Sequence, residues 1–286
     1  MRTLVLGGTG MLGRAVVAEA RRRGSPALGL GRAQADISDR EALRHWVHAF
    51  RPEVVVNCAA FAQVDACEAQ RERAFEVNGR AVANVAAVAA EAGARLLQVS
   101  TDYVFDGGAA APYREDAPTA PLSVYGESKL EGEREAAGRD GALVVRTSLL
   151  FGPGGANFVA TIVELLERGG PVRVVDDQVA APTYAPFLAR AILDLAPLPL
   201  EGIVHYRNRE PVSRFELART IARGWAPAAA VEPAKTVEFP RPAARPAYSV
   251  LDVGRFEAAA GRPVEPWEWG LAQYLTDLKR ERESHA

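Results

Sequence analysis

At 286 residues the chain exceeds a minimal domain and suits one large α/β unit, or a nucleotide-binding domain with a smaller partner. Hydrophobic residues make up 48% and charged residues 24%, and the net charge is −2 from 34 basic and 36 acidic side chains, which argues against a nucleic-acid or membrane-surface binder. Two cysteines, Cys58 and Cys67, rule out a disulfide framework, and no run approaches the ~20 apolar residues of a membrane span. The apolar start MRTLVL is too short for a secretion signal, so a reducing, cytosolic setting is expected.

Residues 2–6 read as a buried strand that runs into Gly7-Gly-Thr-Gly10-Met-Leu-Gly13 and a helix over 11–23. Glycines at this junction let the backbone turn tightly and approach a pyrophosphate, which the helix N-terminus stabilises. A second strand over 27–30 ends at Gly31-Arg32. NAD-strict enzymes usually place an acid here for the ribose 2′-hydroxyl, whereas Arg32 suits a 2′-phosphate, so NADPH is favoured and NADH stays open. A solvated surface arginine is the plain alternative in a chain with 31 arginines. Asp36 can bond the adenine amine while Ile37 packs the ring; Asp36, Ser38 and Asp39 are also rival N-caps for a helix over 39–50. Strand 54–57 closes on Asn57-Cys-Ala-Ala60, whose small residues admit sugar and phosphate. An Ala-rich helix over 71–92 ends at Gly93, a strand follows at 96–100, then a helix over 125–137 and a strand at 143–147. Strand–helix alternation with continuously apolar strands predicts a doubly wound parallel sheet of the Rossmann type.

Only Pro26 and Pro52 precede residue 111, and 17 prolines follow, so the second half is expected to be broken into shorter pieces. Residues 1–151 read as the dinucleotide-binding domain and 152–286 mostly as a smaller α+β substrate lobe. Strand-like runs at 172–175 and 203–206 suggest that the chain returns to the first domain near 172–206, and the charged residues 279–286 read as frayed. His45 and His48 lie one turn apart without an acidic or cysteine partner, which fits a solvated helix face and no metal site.

Tyr125-Gly-Glu-Ser-Lys129 places a phenol and an ammonium on one helix face. The ammonium is expected to stabilise phenolate, lower the phenol's pKa and bond the nicotinamide ribose. Thr101, in Val99-Ser-Thr-Asp-Tyr103, stands at the end of a strand, where ligands of doubly wound sheets bind. A hydroxyl to orient a carbonyl oxygen, a phenol to supply its proton and a lysine to tune the phenol are what ketone reduction needs. Only three of the basic residues are lysines, which makes Lys129 less easily an accident.

The glycine motif, Thr101 and the Tyr125/Lys129 pair resemble the extended short-chain dehydrogenase/reductase superfamily. Within it the chain resembles the dTDP-4-dehydrorhamnose reductase family in PEVVVNCAAFAQVDACE (52–68), VSTDYVFDG (99–107), YREDAPTAPLSVYGESKLEGE (113–133), RTSLLFG (146–152), VVDDQVAAPTY (174–184) and RPAYSVLD (245–252). The resemblance implies NAD(P)H-dependent reduction of the 4-keto group of dTDP-6-deoxy-L-lyxo-4-hexulose, with Tyr125 as proton donor, Lys129 its partner and Thr101 orienting the carbonyl. It also implies a cofactor lining of Gly7, Gly10, Met11, Leu12, Gly13, Asp36, Ile37, Ala59 and Ala60, with Asp102 and Tyr103 facing the sugar. Dehydratases of the superfamily carry Glu where this chain has Tyr103, which argues against water elimination. Leu149 stands where the family commonly has Trp, and it can still bury against the deoxy-sugar methyl. Arg241 and Arg245 are candidates for the diphosphate, with surface ion pairs as the alternative. Some family members use Mg²⁺ at a dimer contact, but no clustered carboxylates place such a site here. A Mg²⁺ requirement and a homodimer stay open, as do a non-catalytic regulatory subunit on the same fold and a reductase or epimerase of another nucleotide sugar.

Overall fold

The computed structural model describes residues 1–138 and 141–285. Its first half runs β1 (Thr3–Leu6), α1 (Met11–Arg22), β2 (Ala27–Leu30), α2 (Arg40–Phe50), β3 (Val54–Asn57), α3 (Val64–Ala69), α4 (Arg71–Phe75), α5 (Ala81–Glu91), β4 (Arg95–Thr101), α6 (Val124–Ala137) and β5 (Leu143–Thr147). Asp39 is the N-cap of α2, accepting from the backbone of Glu41 and Ala42, which frees Asp36 from that role. Neighbouring strand residues point to opposite faces, and both faces are apolar. Val5, Val56, Leu97 and Val145 enter one core with α1, while Leu4, Leu6, Val55, Leu96 and Val144 enter another with α2, α5 and α6. This two-sided burial is what a parallel sheet requires.

The second half runs β6 (Leu150–Phe151), α7 (Phe158–Arg168), β7 (Val172–Val175), β8 (Val179–Ala180), β9 (Thr183–Tyr184), α8 (Ala185–Leu195), β10 (Gly202–His205), β11 (Val212–Ser213), α9 (Arg214–Trp225), β12 (Val231–Ala234), α10 (Gly254–Ala260) and α11 (Trp267–His285). The six-stranded central sheet has the order β10-β5-β4-β3-β1-β2 and is parallel throughout. The chain turns from β2 on one side of β1 to β3 on the other, so the switch point of the sheet lies between β1 and β3. Val172–Val175 is a strand, but it pairs with β12 in a separate two-stranded sheet, and the return to the central sheet is made by α8, packed on α1, and by β10.

Three features depart from the expectations above. The helix over 71–92 is interrupted by a π turn at Glu76–Arg80, which buries Asn78 so that its amide reaches the Phe61 backbone and the Ser128 hydroxyl. Residues 279–285 are not frayed: they continue α11, anchored by Arg282 on Glu167 at 2.6 Å and Lys279 on the Gly224 carbonyl at 2.9 Å. Ala286 lies outside the described residues. Helix α3 has no counterpart among the expected elements. No helix among the described residues is long and apolar enough to cross a membrane.

β10 buries His205 completely, where burial and the Arg146 charge hold its pKa down at about 3. The folded protein therefore keeps the ring neutral, while the unfolded chain protonates it near the ordinary pKa of about 6.5. The stability that this contributes is present above pH ~6.5 and is lost as pH falls toward 3, at up to about 1.4 kcal/mol per pH unit for one proton. Equilibrium unfolding across this range should show the slope in the native chain and lose it in His205→Gln; an equal slope in both would refute the assignment.

Candidate active site

The turn from β1 into α1 has no room for side chains at three of its glycines, Gly7, Gly8 and Gly13. A Cβ on Gly7, whose φ is +73°, would lie 2.7 Å from the Ala59 backbone nitrogen. A Cβ on Gly13 would lie 2.2 Å from the Gly7 carbonyl oxygen. The glycines thus press the turn onto β3 at the switch point, and Gly10 begins α1 with no side chain capping its first N–H groups. A cavity of about 320 Å³ opens here, walled by Gly7, Thr9, Gly10, Arg32, Asp36, Ile37, Ala59 and Ala60 among others. A close-approach glycine turn, free helix N–H groups and a wall of small residues fit a dinucleotide.

Met11 and Leu12, also expected at the cofactor, are not in the wall of this cavity. Met11 is half-buried in the first turn of α1. Leu12 is turned into the main core, so only its backbone can serve a ligand. Arg32 Nε lies 3.0 Å from Asp36 Oδ2, with the arginine mostly exposed. The Ser38 backbone N–H, with the Arg32 guanidinium, holds the Asp36 carboxyl below its ordinary range. Thr9, Phe61 and Arg73 also line the cavity and were not anticipated. Thr9 sits inside the glycine motif and Phe61 follows Ala60, so both were within reach of the sequence. Arg73 arrives only through the placement of α4.

The second cluster forms where β4 ends. Thr101 Oγ1 accepts from the Tyr103 backbone at 3.1 Å and donates to Asp102 Oδ1 at 3.1 Å, turning the chain through Asp102–Val104. Ser123 caps α6 by accepting from Gly126 N–H, and a Cβ on Gly126 would stand 2.2 Å from the Tyr103 carbonyl oxygen. The first turn of α6 is thereby seated on the strand end, and Tyr125 comes into hydrogen-bonding range of Thr101. The rings of Tyr103 and Tyr125 meet edge-on at 5.9 Å.

Electrostatics here differ from the expectation. Burial pushes the Tyr125 phenol up, and the Thr101 hydrogen bond opposes it only in part. Lys129 is not among the groups that act most on the phenol, and its Nζ donates to the Val99 carbonyl at 2.6 Å. Burial brings the lysine itself down to about 8, against the charge of Glu133. Asp102 is buried and pushed up to about 6, with Ser249, Thr101 and the Arg214 charge opposing.

A larger cavity of about 630 Å³ opens from Tyr103 toward the smaller lobe. Arg241 and Arg245 line it, and both form ion pairs with Asp65 of α3, at 3.4 and 2.6 Å. Arg214 and Arg173 line it too, beside Phe158 and Phe239. Arg214 sits 5.3 Å over Phe158, hydrogen-bonds the Tyr103 side chain and places its charge near Asp102. Nothing in the sequence separates Arg214 from thirty other arginines. Leu149 is not in the wall of either cavity: it packs half-buried against the main core with a left-handed φ of +40°. A further cavity of about 750 Å³ lies at the opposite end of the sheet, floored by Arg95, and holds none of this chemistry.

The chain matches the family model described as "RmlD substrate binding domain" over residues 1–280. It is 42% identical over 285 residues to a dTDP-4-dehydrorhamnose reductase of Streptomyces griseus, covering 97% of this chain and 94% of that one. Among solved structures, a dTDP-4-dehydrorhamnose reductase of Clostridium acetobutylicum superposes with a TM-score of 0.94 at 36% identity, covering 98% of this chain and 100% of the other. A dTDP-4-dehydrorhamnose reductase of Bacillus anthracis in complex with NADP superposes with a TM-score of 0.92 at 33% identity, covering 96% and 99%.

Proposed function

Because the chain belongs to the RmlD substrate binding domain family, we propose that it reduces the 4-keto group of dTDP-6-deoxy-L-lyxo-4-hexulose with NADPH, giving dTDP-L-rhamnose. The observation that carries the reading is the meeting of Thr101, Tyr125 and Lys129 at the end of β4, between the glycine cradle and an arginine-lined cavity. Residues 1–151, with α8 and β10 as the segment that returns to the central sheet, hold the cofactor, and the rest of 152–286 holds the sugar nucleotide. Free Cys58 and Cys67 suit a cytoplasmic enzyme, and a homodimer is carried over from the family resemblance.

Bound NADPH supplies the hydride that adds to C4. The chain does the rest. Thr101 and Tyr125 hold the carbonyl oxygen between two hydroxyls. The raised phenol keeps its proton until charge develops on that oxygen, and an alkoxide is basic enough to take it. The products are a C4–H, a C4 hydroxyl and a tyrosinate one helical turn from Lys129, whose ammonium stabilises it once Nζ turns from the Val99 carbonyl toward it. Asp102 has no leaving hydroxyl to serve, and Tyr103 occupies the place where a dehydratase carries its second carboxylate.

The cavity arginines take the diphosphate. Arg245 is already engaged by Asp65, whereas Arg214 lines the cavity beside Tyr103, to whose hydroxyl it donates. Charge-assisted hydrogen bonds of about 1.5–3 kcal/mol correspond to roughly 10–100-fold in binding. Arg214→Ala should therefore raise KM for the sugar nucleotide by about that factor with kcat changed less, read by steady-state kinetics. An unchanged KM would remove Arg214 from the site.

A further inference from the structure

The face of α6 that carries Tyr125 and Lys129 continues one turn to Glu133, so the three residues stand in a row at i, i+4 and i+8. Glu133 is 3% exposed, and Arg146 of β5, which meets it, is 2% exposed. The pair is bidentate, with Arg146 Nε 2.8 Å from Glu133 Oε1 and Nη2 2.6 Å from Oε2. The remaining nitrogen, Nη1, faces His205 Nε2 at 3.4 Å, and His205 Nδ1 donates to the Tyr113 carbonyl, which leaves Nε2 as an acceptor. The Phe105 ring lies 5.1 Å from the guanidinium. Arg146 is thus held on every side and cannot swing away from Glu133.

Two buried charges cost several kcal/mol to desolvate, and an aliphatic pair would fasten α6 to β5 at least as well. What an aliphatic pair would not supply is a negative charge one turn from Lys129. The lysine is buried, and its one hydrogen bond among the described residues goes to the Val99 carbonyl of β4. The titratable groups acting on it are Glu133 from its own helix and Cys58 after β3, and Arg146 of β5 acts through Glu133. Burial drives Lys129 toward the neutral amine, and Glu133 opposes that. Because Arg146 occupies both carboxylate oxygens, Glu133 offers charge without taking a hydrogen bond from Nζ.

We propose that Glu133 is a positioning residue for Lys129: clamped at both oxygens by Arg146, it keeps the buried lysine an ammonium and leaves the N–H donors of Nζ for the Tyr125 edge of the site. The reductase reading explains why an ammonium is wanted there, but the test does not depend on that reading.

Lys129 is one of three lysines, the others being Lys235, paired at the surface with Asp176, and Lys279 on α11. Lysine labelled at Cε and Nζ therefore gives three NMR signals that can be titrated in the cofactor-free protein. Lys129 should titrate near 8 in the native chain. In Glu133→Gln, and in Glu133→Leu with Arg146→Met should the single variant not fold, it should fall by about one unit or more, a tenfold change in its ionisation constant. Lys235 and Lys279 should not move, and Glu133→Asp, which keeps the charge, should restore most of the shift. The alkaline limb of the kcat–pH profile should move down with the Lys129 titration. An unchanged Lys129 titration in a folded variant would overturn the proposal and leave the pair a fastener of α6 to β5. A shifted titration in a protein that reduces no keto sugar would uphold the positioning role and count against the reductase reading alone.

Discussion

Tyr125→Phe is expected to lower kcat by about 10²–10⁴-fold while NADPH binding stays close to native. The substitution removes one oxygen and leaves the ring, so the edge-on contact with Tyr103 and the seat of α6 on the Asp102–Val104 turn are kept. What is lost is the α6 phenol hydroxyl that stands in hydrogen-bonding range of Thr101. Thr101 cannot replace it, because an aliphatic alcohol is a far weaker acid than a phenol and does not give its proton up near neutral pH. Asp102 itself is pushed up to about 6, but it sits behind Thr101. Single-turnover kinetics with the dTDP keto sugar, alongside a fluorescence titration of NADPH, separates the two effects. A near-native rate in this variant would mean that the proton comes from elsewhere.

Gly13→Ala should abolish function by the opposite route, through the cofactor. The new Cβ would meet the Gly7 carbonyl at 2.2 Å and the Gly8 Cα at 2.8 Å, and both are backbone atoms with no rotamer to change. Relief requires the turn to open, which lifts Gly7 off Ala59 and displaces the first N–H groups of α1. A misplacement of about 1 Å in a positioning element costs on the order of 100-fold, so NADPH affinity should fall by at least that factor. Overpacking of this kind also costs about 1–3 kcal/mol of stability. Gly138→Ala is the control, since φ there is −69° and the nearest atom to the new Cβ is 3.7 Å away. Native NADPH affinity in Gly13→Ala would contradict the assignment of the turn as the cofactor cradle.

The parts of this fold that were legible in the sequence are those set by local pattern. Strands 27–30, 54–57, 143–147 and 172–175 stand where apolar continuity puts them. Apolar continuity does not name a strand's partner, so the attachment of Val172–Val175 to β12 emerged only from the structure. The π turn escaped notice because its cause, the reach of Asn78 to Phe61 and Ser128, spans separations of 17 and 50 residues. In the site, Thr101, Tyr125 and Lys129 were legible because their spacing and residue types are unusual together. Arg214 and Glu133 were not, because an arginine at a helix start and a glutamate within a helix are ordinary. The parts proposed for them rest on the cavity that the tertiary structure opens beside one and on the burial it gives the other. Leu149 shows the converse: a position singled out by its residue type turned out to pack against the core.

The most direct test is to supply NADPH carrying deuterium at the transferable position together with dTDP-6-deoxy-L-lyxo-4-hexulose, and to read the product by NMR. Hydride transfer from NADPH to the 4-keto carbon predicts dTDP-L-rhamnose with deuterium at C4, formed in step with oxidation of the cofactor. A C4 position without deuterium, or a sugar altered with no net loss of NADPH as an epimerase would leave it, would contradict it.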